Sequence, residues 1–295
     1  MIQSALSRDP HLAGTRRRSA LVWRSFIRNR GAVAGTIVLL LWGATALFAP
    51  RVAAYDPLSL SGIGRQPPSA AHPMGTDLLG RDVLSRVLFG ARISLAVGVI
   101  SVAIGVTSGS VIGVVAGYHG GRADGVLMRI IDAMLAFPGL LLALMVIAAL
   151  GPGLTNVMLA VGVSSIPLYA RLVRGLCLGI RQIEYIQAAH AMGGSDARIM
   201  LRHVAPNILG PVVVLATLQV GNAILVGSAL SYLGMGAQPP TPEWGLMVSD
   251  GRRFLMEQWW IATFPALAIM FLVLGFNLMG DGVRDLLDPR LRKLT

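Results

Sequence analysis

The sequence predicts an all-α, polytopic membrane protein with six transmembrane helices, and three observations carry that expectation. Only 13% of the 295 residues are charged, against about a quarter in soluble domains, and 54% are hydrophobic. Five stretches free of Asp, Glu, Lys and Arg are long enough to cross a bilayer. The Lys and Arg residues are shared unequally among the segments joining those stretches.

The first stretch, Gly31 to Pro50, has 20 residues. At about 1.5 Å per residue that spans a hydrocarbon core of about 30 Å. It is longer than the apolar region of a secretory leader and reads as a retained anchor. Ile93 to Gly121, with 29 residues, holds the second span. Ala133 to Ala170, with 38, is too long for one helix, and Gly151-Pro152-Gly153 divides it into a third and a fourth span. His203 to Pro242, with 40, holds a fifth span from about Asn207 to Leu233, ended by the run Gly234 to Pro240. Gln258 to Gly280, with 23, is the sixth. The expected organisation is a tail over 1–30, a first helix over 31–50, an extracytoplasmic segment over 51–90, a five-helix core over 91–281 and a second tail over 282–295.

With the N-terminus inside, the cytoplasmic segments hold 18 of the 25 Lys and Arg residues, which predicts that both termini are cytoplasmic. The net charge of +11 is then a topology signal directed at anionic lipid. Nucleic acid is not an expected partner, because the Arg16-Arg17-Arg18 cluster stands just before a span and lacks interleaved aromatics.

The chemistry that is missing narrows the function. Cys177 is the only cysteine, and His11, His72, His119, His190 and His203 lack metal-ligand spacing, so no disulfide, catalytic residue or metal site is expected. A phosphate-binding loop of the G-x-x-x-x-G-K-[ST] kind needs a lysine, and the one lysine is Lys293. Any ATP-driven work therefore belongs to another polypeptide, and this chain is expected to be no enzyme and to bind no cofactor. The spans carry almost no acids; Asp132, at the end of the third, is expected to cap or to pair with Arg129. An ion-coupled carrier working alone is poorly equipped by this sequence, and it is kept as an alternative.

Gly105, Gly109, Gly113 and Gly117 stand four residues apart, with Gly98 on nearly the same face, and form a ridge for close approach by another helix of the bundle or by a second subunit. Asn156, Ser164, Ser165, Gln219, Asn222, Ser228 and Ser231 are candidates to line a path, since polar groups at membrane depth turn toward protein or water. Hydrogen bonds between neighbouring helices are the competing explanation for each. Trp259 and Trp260 are expected to anchor the sixth span at the outer interface.

The connection from Arg171 to Val204 is too charged to cross the membrane. Ile183 to Met192 reads as a short helix with Tyr185, Ala188, Ala189 and Met192 on one side. Gly193-Gly194 can end it, Ser195 can cap a second helix running to about His203, and Pro206 suits the first turn of the fifth span.

These residues resemble the membrane subunits of bacterial ATP-binding-cassette importers, specifically the second permease of the peptide, dipeptide, glutathione and nickel group. The coupling loop of that family reads Glu-Ala-Ala, three residues, Gly, and later Pro; Ala188, Ala189, Gly193 and Pro206 fall at those positions. Gly75 to Arg86, Leu230 to Gly234 with Pro239 to Gly245, and Gly280 to Pro289 look like its outer segment, its outer loop and its C-terminal signature. Two departures stand out: Gln187 replaces the glutamate of the motif, and Gly227 lies where many relatives have a glutamate.

The resemblance implies a type I importer transmembrane domain in the bacterial inner membrane, with a coupling helix near 182–204. It implies a homologous permease as partner, two ATPases that bind ATP and Mg, and an extracytoplasmic binding protein. Glu184, Tyr185, Gln187, Ala188, Ala189, Gly193 and Ser195 would meet an ATPase. The implied cargo is a di- to oligopeptide or a glutathione-like molecule, with nickel complexes as the alternative.

Overall fold

The computed structural model describes residues 27–60 and 63–287. Arg16 to Arg18, Lys293 and the end of the C-terminal signature, Asp288-Pro289, lie outside them. The described residues form helices and connecting turns, with no strand among them beyond one isolated bridge between Thr76 and Asp82.

Helix α1 (Arg30–Val52) starts at Asn29, whose side chain accepts the Ala32 N–H at 3.1 Å. It lies along α10 (Trp260–Leu287). A Cβ on Gly35 would meet the Gly275 carbonyl oxygen at 2.7 Å, so glycine sets how near the two backbones come.

Helix α2 (Val83–His119) has 37 residues, about 55 Å at the usual rise, and starts ten residues before the apolar stretch. Asp82 caps it by accepting the Ser85 N–H at 2.7 Å. Arg86 and Arg92 therefore stand on helix rather than in a loop. The central packing of the bundle is α2 on α5 (Leu154–Arg181). Cβ atoms on Gly109 and Gly113 would sit 2.7 and 2.6 Å from the Ile166 and Ala170 carbonyl oxygens of α5, and Gly117 faces Arg174 and Cys177. The glycine ridge is thus consumed inside the chain. Gly98 faces a different helix, α8 (Ala205–Tyr232), where its Cβ would meet Ile224 at 2.6 Å.

The third expected span is not one straight rod. It consists of α3 (Gly121–Leu135) and α4 (Gly139–Leu150), bent by 96°. The break falls at Ala136-Phe137-Pro138, where proline disfavours helical geometry in the preceding residue and lacks a donor. Five helices are long and apolar enough to cross a membrane, or six when this bent pair counts as one span. Gly151 (φ 87°) and Gly153 (φ 146°) make the tight turn into α5.

The charged connection contains α6 (Glu184–Ala191) and α7 (Asp196–Ile199). The helix after Ser195 does not stay separate: α7 passes through a π-turn, Met200–Val204, directly into α8. Asp196–Tyr232 is consequently one apolar rod of 37 residues with Pro206 near the start of α8. Ser195 occupies the cap position, but its side chain makes no capping hydrogen bond. Gly234 (φ 82°) follows the end of α8, and α9 (Trp244–Gly251) leads toward α10.

At the end of the bundle opposite α6, the connecting segments form a packed cover rich in buried charge. Asp77 accepts the Leu79 and Arg81 N–H groups at 2.9 Å each and Arg81 Nε at 2.6 Å. Arg86, almost wholly buried, donates to the Pro57 and Pro240 carbonyls at 3.1 and 3.2 Å. His72 Nδ1 lies 3.0 Å from Asp82 Oδ1. Trp260 is buried here and donates to the Thr76 carbonyl at 3.1 Å, so only Trp259 has the exposure of an interfacial anchor.

Candidate functional site: the elbow and the inner cavity

Ile183 to Val204 forms an elbow against the end of the bundle. Its apolar side is fixed by Ile186, Ile199 and Val204, which are buried with Tyr118, Val173, Cys177 and Ile208 from α2, α5 and α8. Its polar side is fixed at two points. The Tyr118 hydroxyl donates to Asp196 Oδ1 at 3.0 Å and lies 3.2 Å from His190 Nε2, so the last turn of α2 holds both α6 and α7. His190 also stacks on the Tyr118 ring and approaches Asp196 at 3.1 Å. Asn207 at the start of α8 donates to the Tyr185 hydroxyl at 3.0 Å.

The turn between α6 and α7 depends on two glycines for different reasons. Gly193 has φ 80°, a conformation costly for residues with a Cβ, and faces open space. Gly194 has an ordinary φ, but a Cβ there would sit 2.8 Å from the Ala189 carbonyl oxygen. Of the expected contact residues, Glu184, Tyr185, Gln187, Ala188, Gly193 and Ser195 are exposed, and Ala189 is half-buried. The elbow therefore offers a continuous outward surface, with Met192 at 83% exposure at its tip. Tyr185 and Met192 face outward rather than into the bundle, and Ile186 takes the buried position. Gln187 folds back to donate to the Gln182 carbonyl at 3.3 Å.

Two ion pairs join α3 to α5 beside the elbow. Arg174 grips Asp124 through two hydrogen bonds of 2.5 and 2.6 Å. Arg171 Nη2 donates to Asp132 Oδ1 at 2.7 Å, so the partner of Asp132 is Arg171 and not Arg129. The choice follows from the fold, since the α3–α5 packing brings Arg171 across from Asp132. Next to this pair is an open cavity of about 760 Å³, bounded by Leu135, Pro167, Arg171, Pro211, Leu218 and Arg284 from α3, α5, α8 and α10.

The seven expected path residues divide into two groups. Asn156 donates to the Leu150 and Gly151 carbonyls at 3.1 and 3.0 Å and so closes the turn after α4. Ser164 and Ser165 bond back to the Val161 and Gly162 carbonyls of their own helix. Ser231 accepts the Ala237 N–H at 3.4 Å, and buried Ser228 packs on Gly245. Gln219 and Asn222, three residues apart on α8, remain available: half-buried and exposed respectively, they make no hydrogen bond among the described residues. Position 227 has no room for an acid in this arrangement, because a Cβ there would meet Val97 at 2.6 Å.

Sequence reading placed the elbow but missed the contact of Tyr118 with His190 and Asp196 that holds it. The adjacent Gly193-Gly194 pair was the visible signal of the elbow; nothing local in the sequence joins Tyr118 to residues 72 and 78 positions away.

Among the described residues, an all-helical bundle with five to six candidate spans, an elbow stapled to one end and a packed cover over the other has the architecture of a multi-pass membrane protein. The chain belongs to the binding-protein-dependent transport system inner membrane component family, whose model matches residues 109–293. Residues 18–68 match the N-terminal TM domain of oligopeptide transport permease C. The chain is 46% identical over 272 residues to a glutathione transport system permease protein of Pectobacterium atrosepticum, covering 92% of this chain and 90% of that one. It is 46% identical over 259 residues to a probable D,D-dipeptide transport system permease protein of Escherichia coli, covering 88% and 87%. Among solved structures, an inward facing MetNI methionine ABC transporter chain shares the fold, with TM-score 0.57, 19% identity, and coverage of 69% of this chain and 97% of that one. The protein is thus a multi-pass inner-membrane permease subunit of an ABC importer, and ATP hydrolysis resides on separate subunits.

Proposed function

We propose that this permease pairs with a homologous permease to form a path for small peptides, from dipeptides to oligopeptides or glutathione-like molecules. An extracytoplasmic binding protein delivers the cargo, and two ATPases that bind ATP and Mg drive the cycle from the cytoplasm. The names of the similar permeases support the cargo class. The Arg-rich end of the bundle, with the elbow, faces the cytoplasm, and both termini lie on that side.

The observation that carries the coupling role is the outward surface of α6, exposed while its opposite side is anchored through Ile186 and the Tyr118 staple. A groove in an ATPase can receive Glu184, Tyr185, Gln187, Ala188, Ala189, Gly193 and Ser195. Movement of the ATPase is then passed to α2 through Tyr118 and to α8 through the π-turn. ATP need only favour one arrangement of the bundle: a differential affinity of about 5.5 kcal/mol moves a population from 1:99 to 99:1.

The test is purification from native membranes followed by reconstitution with the co-purifying subunits. The expected result is peptide uptake that requires ATP and the binding protein. A Gly193→Val variant should hydrolyse ATP yet take up little cargo. Normal uptake by that variant would remove the coupling assignment, and uptake by the isolated chain would remove the importer reading.

A further inference from the structure

The cavity between α5 and α8 combines features that a simple lipid-facing groove does not need. Its volume of about 760 Å³ is within the range of small-molecule sites, and its walls are largely apolar. Two guanidinium groups, Arg171 and Arg284, stand on its lining. Arginine does not lose its proton in proteins, so both cations persist beside an apolar wall and favour an anion there. Arg171 spends one nitrogen on Asp132, leaving its other N–H groups free to donate. Arg284 makes no hydrogen bond or ion pair among the described residues.

One polar side chain stands just beyond the cavity. Asn222 lies four residues beyond Leu218, on the same face of α8, and is exposed without an internal partner. α8 thus presents an amide and then an apolar wall, and α5 and α10 add the two cations beside that wall. A small peptide has the matching sequence of groups: amide bonds, side chains and a terminal carboxylate.

We propose that Arg171 and Arg284 form an oxyanion site at the inner end of the path and receive the terminal carboxylate of the peptide cargo before release. The inference rests on the importer reading above and adds a chemical requirement to it: the cargo leaves through a site that recognises a free carboxylate. Asp132 competes for Arg171, which limits how tightly cargo is held and favours its release.

The experiment uses the assembled complex with its partner permease and ATPases, without binding protein or nucleotide, in nanodiscs of phosphatidylcholine alone or mixed with phosphatidylglycerol. Retention of radiolabelled Ala-Ala and of glutathione is measured by equilibrium dialysis. Arg171→Gln and Arg284→Gln should each weaken retention about tenfold, as expected for a charge-assisted hydrogen bond. Arg284→Lys, which keeps the charge, should restore most of it. Ala-Ala amide should compete poorly, and lipid composition should have little effect.

Equal binding by the Gln variants, full competition by the amide, or no retention by the unsubstituted complex would overturn the assignment. So would loss of co-purifying phosphatidylglycerol in the variants with peptide retention unchanged, which gives the cations to a lipid phosphate. Stimulation of ATP hydrolysis by the binding protein separates the two levels: if stimulation persists while these results fail, only the oxyanion site falls. A chain that assembles with no ATPase overturns both.

Discussion

Gly193 and Gly194 respond to different replacements because one is constrained by φ and the other by space. Asparagine tolerates left-handed backbone better than other residues with a Cβ, so Gly193→Asn should retain most uptake, whereas Gly193→Val adds about 1 to 2 kcal/mol of strain. Gly194→Val should lose coupling despite its ordinary φ, since the Ala189 carbonyl occupies the position of its side chain. Uptake and ATP hydrolysis, measured together, distinguish the three variants.

Glu243 supplies a second residue-level prediction. Its carboxylate accepts the Gly245 and Leu246 N–H groups at 2.9 and 2.8 Å, but burial dominates and raises its pKa above the ordinary 4.5. Burial raises Asp250 as well. A raised carboxyl pKa means that the folded chain holds protons more strongly than the unfolded one. The resulting stabilisation is complete below the ordinary value and is lost as pH rises through the raised one. Thermal unfolding in detergent should therefore show stability falling from acidic toward neutral pH, with a smaller fall in Glu243→Gln.

Individual side chains were the least legible level. Serines in apolar spans signalled a path, yet Ser164 and Ser165 satisfy themselves on their own helix. Asp77, Arg81 and Arg86 read as loop charges because what buries them is distant in sequence: Asp77 pairs locally with Arg81, but Arg86 is enclosed by the Pro57 and Pro240 carbonyls, 29 and 154 residues away.

Among elements, the α2–α5 contact makes the sharpest prediction. Gly113→Ala places a Cβ 2.6 Å from the Ala170 carbonyl oxygen and 2.7 Å from the Val173 Cβ, and should destabilise the bundle by about 1 to 3 kcal/mol. Gly125→Ala on α3 has open space at its Cβ and should leave thermal stability unchanged or slightly raised. Equal melting shifts for the pair would contradict the close approach. Helix positions were readable because apolar length and glycine spacing are local properties. The bend between α3 and α4 was not, since hydrophobicity reports that residues avoid water without reporting direction. Phe137-Pro138 carried the missing clue.

For the whole molecule, orientation is open to a direct check. Cys177 is fully buried, and it can be replaced by serine to remove background before single cysteines are introduced. A membrane-impermeant maleimide should label Met256→Cys, at 97% exposure on the cover, in intact cells. It should label Glu184→Cys on the elbow only after permeabilisation. The reverse pattern would invert the charge-based topology.

The uninterrupted path from Asp196 to Tyr232 gives the molecule a lever. Thirty-seven residues of nearly continuous helix extend about 55 Å, and no flexible linker separates the elbow from the far end. There, the Tyr232 carbonyl accepts the Ser249 hydroxyl at 2.8 Å, and Ser231 holds the Ala237 N–H. On the coupling proposed above, a stroke delivered at the elbow would reach the cover along this one helix. Opening at one end and shutting at the other would then be two ends of a single mechanical event.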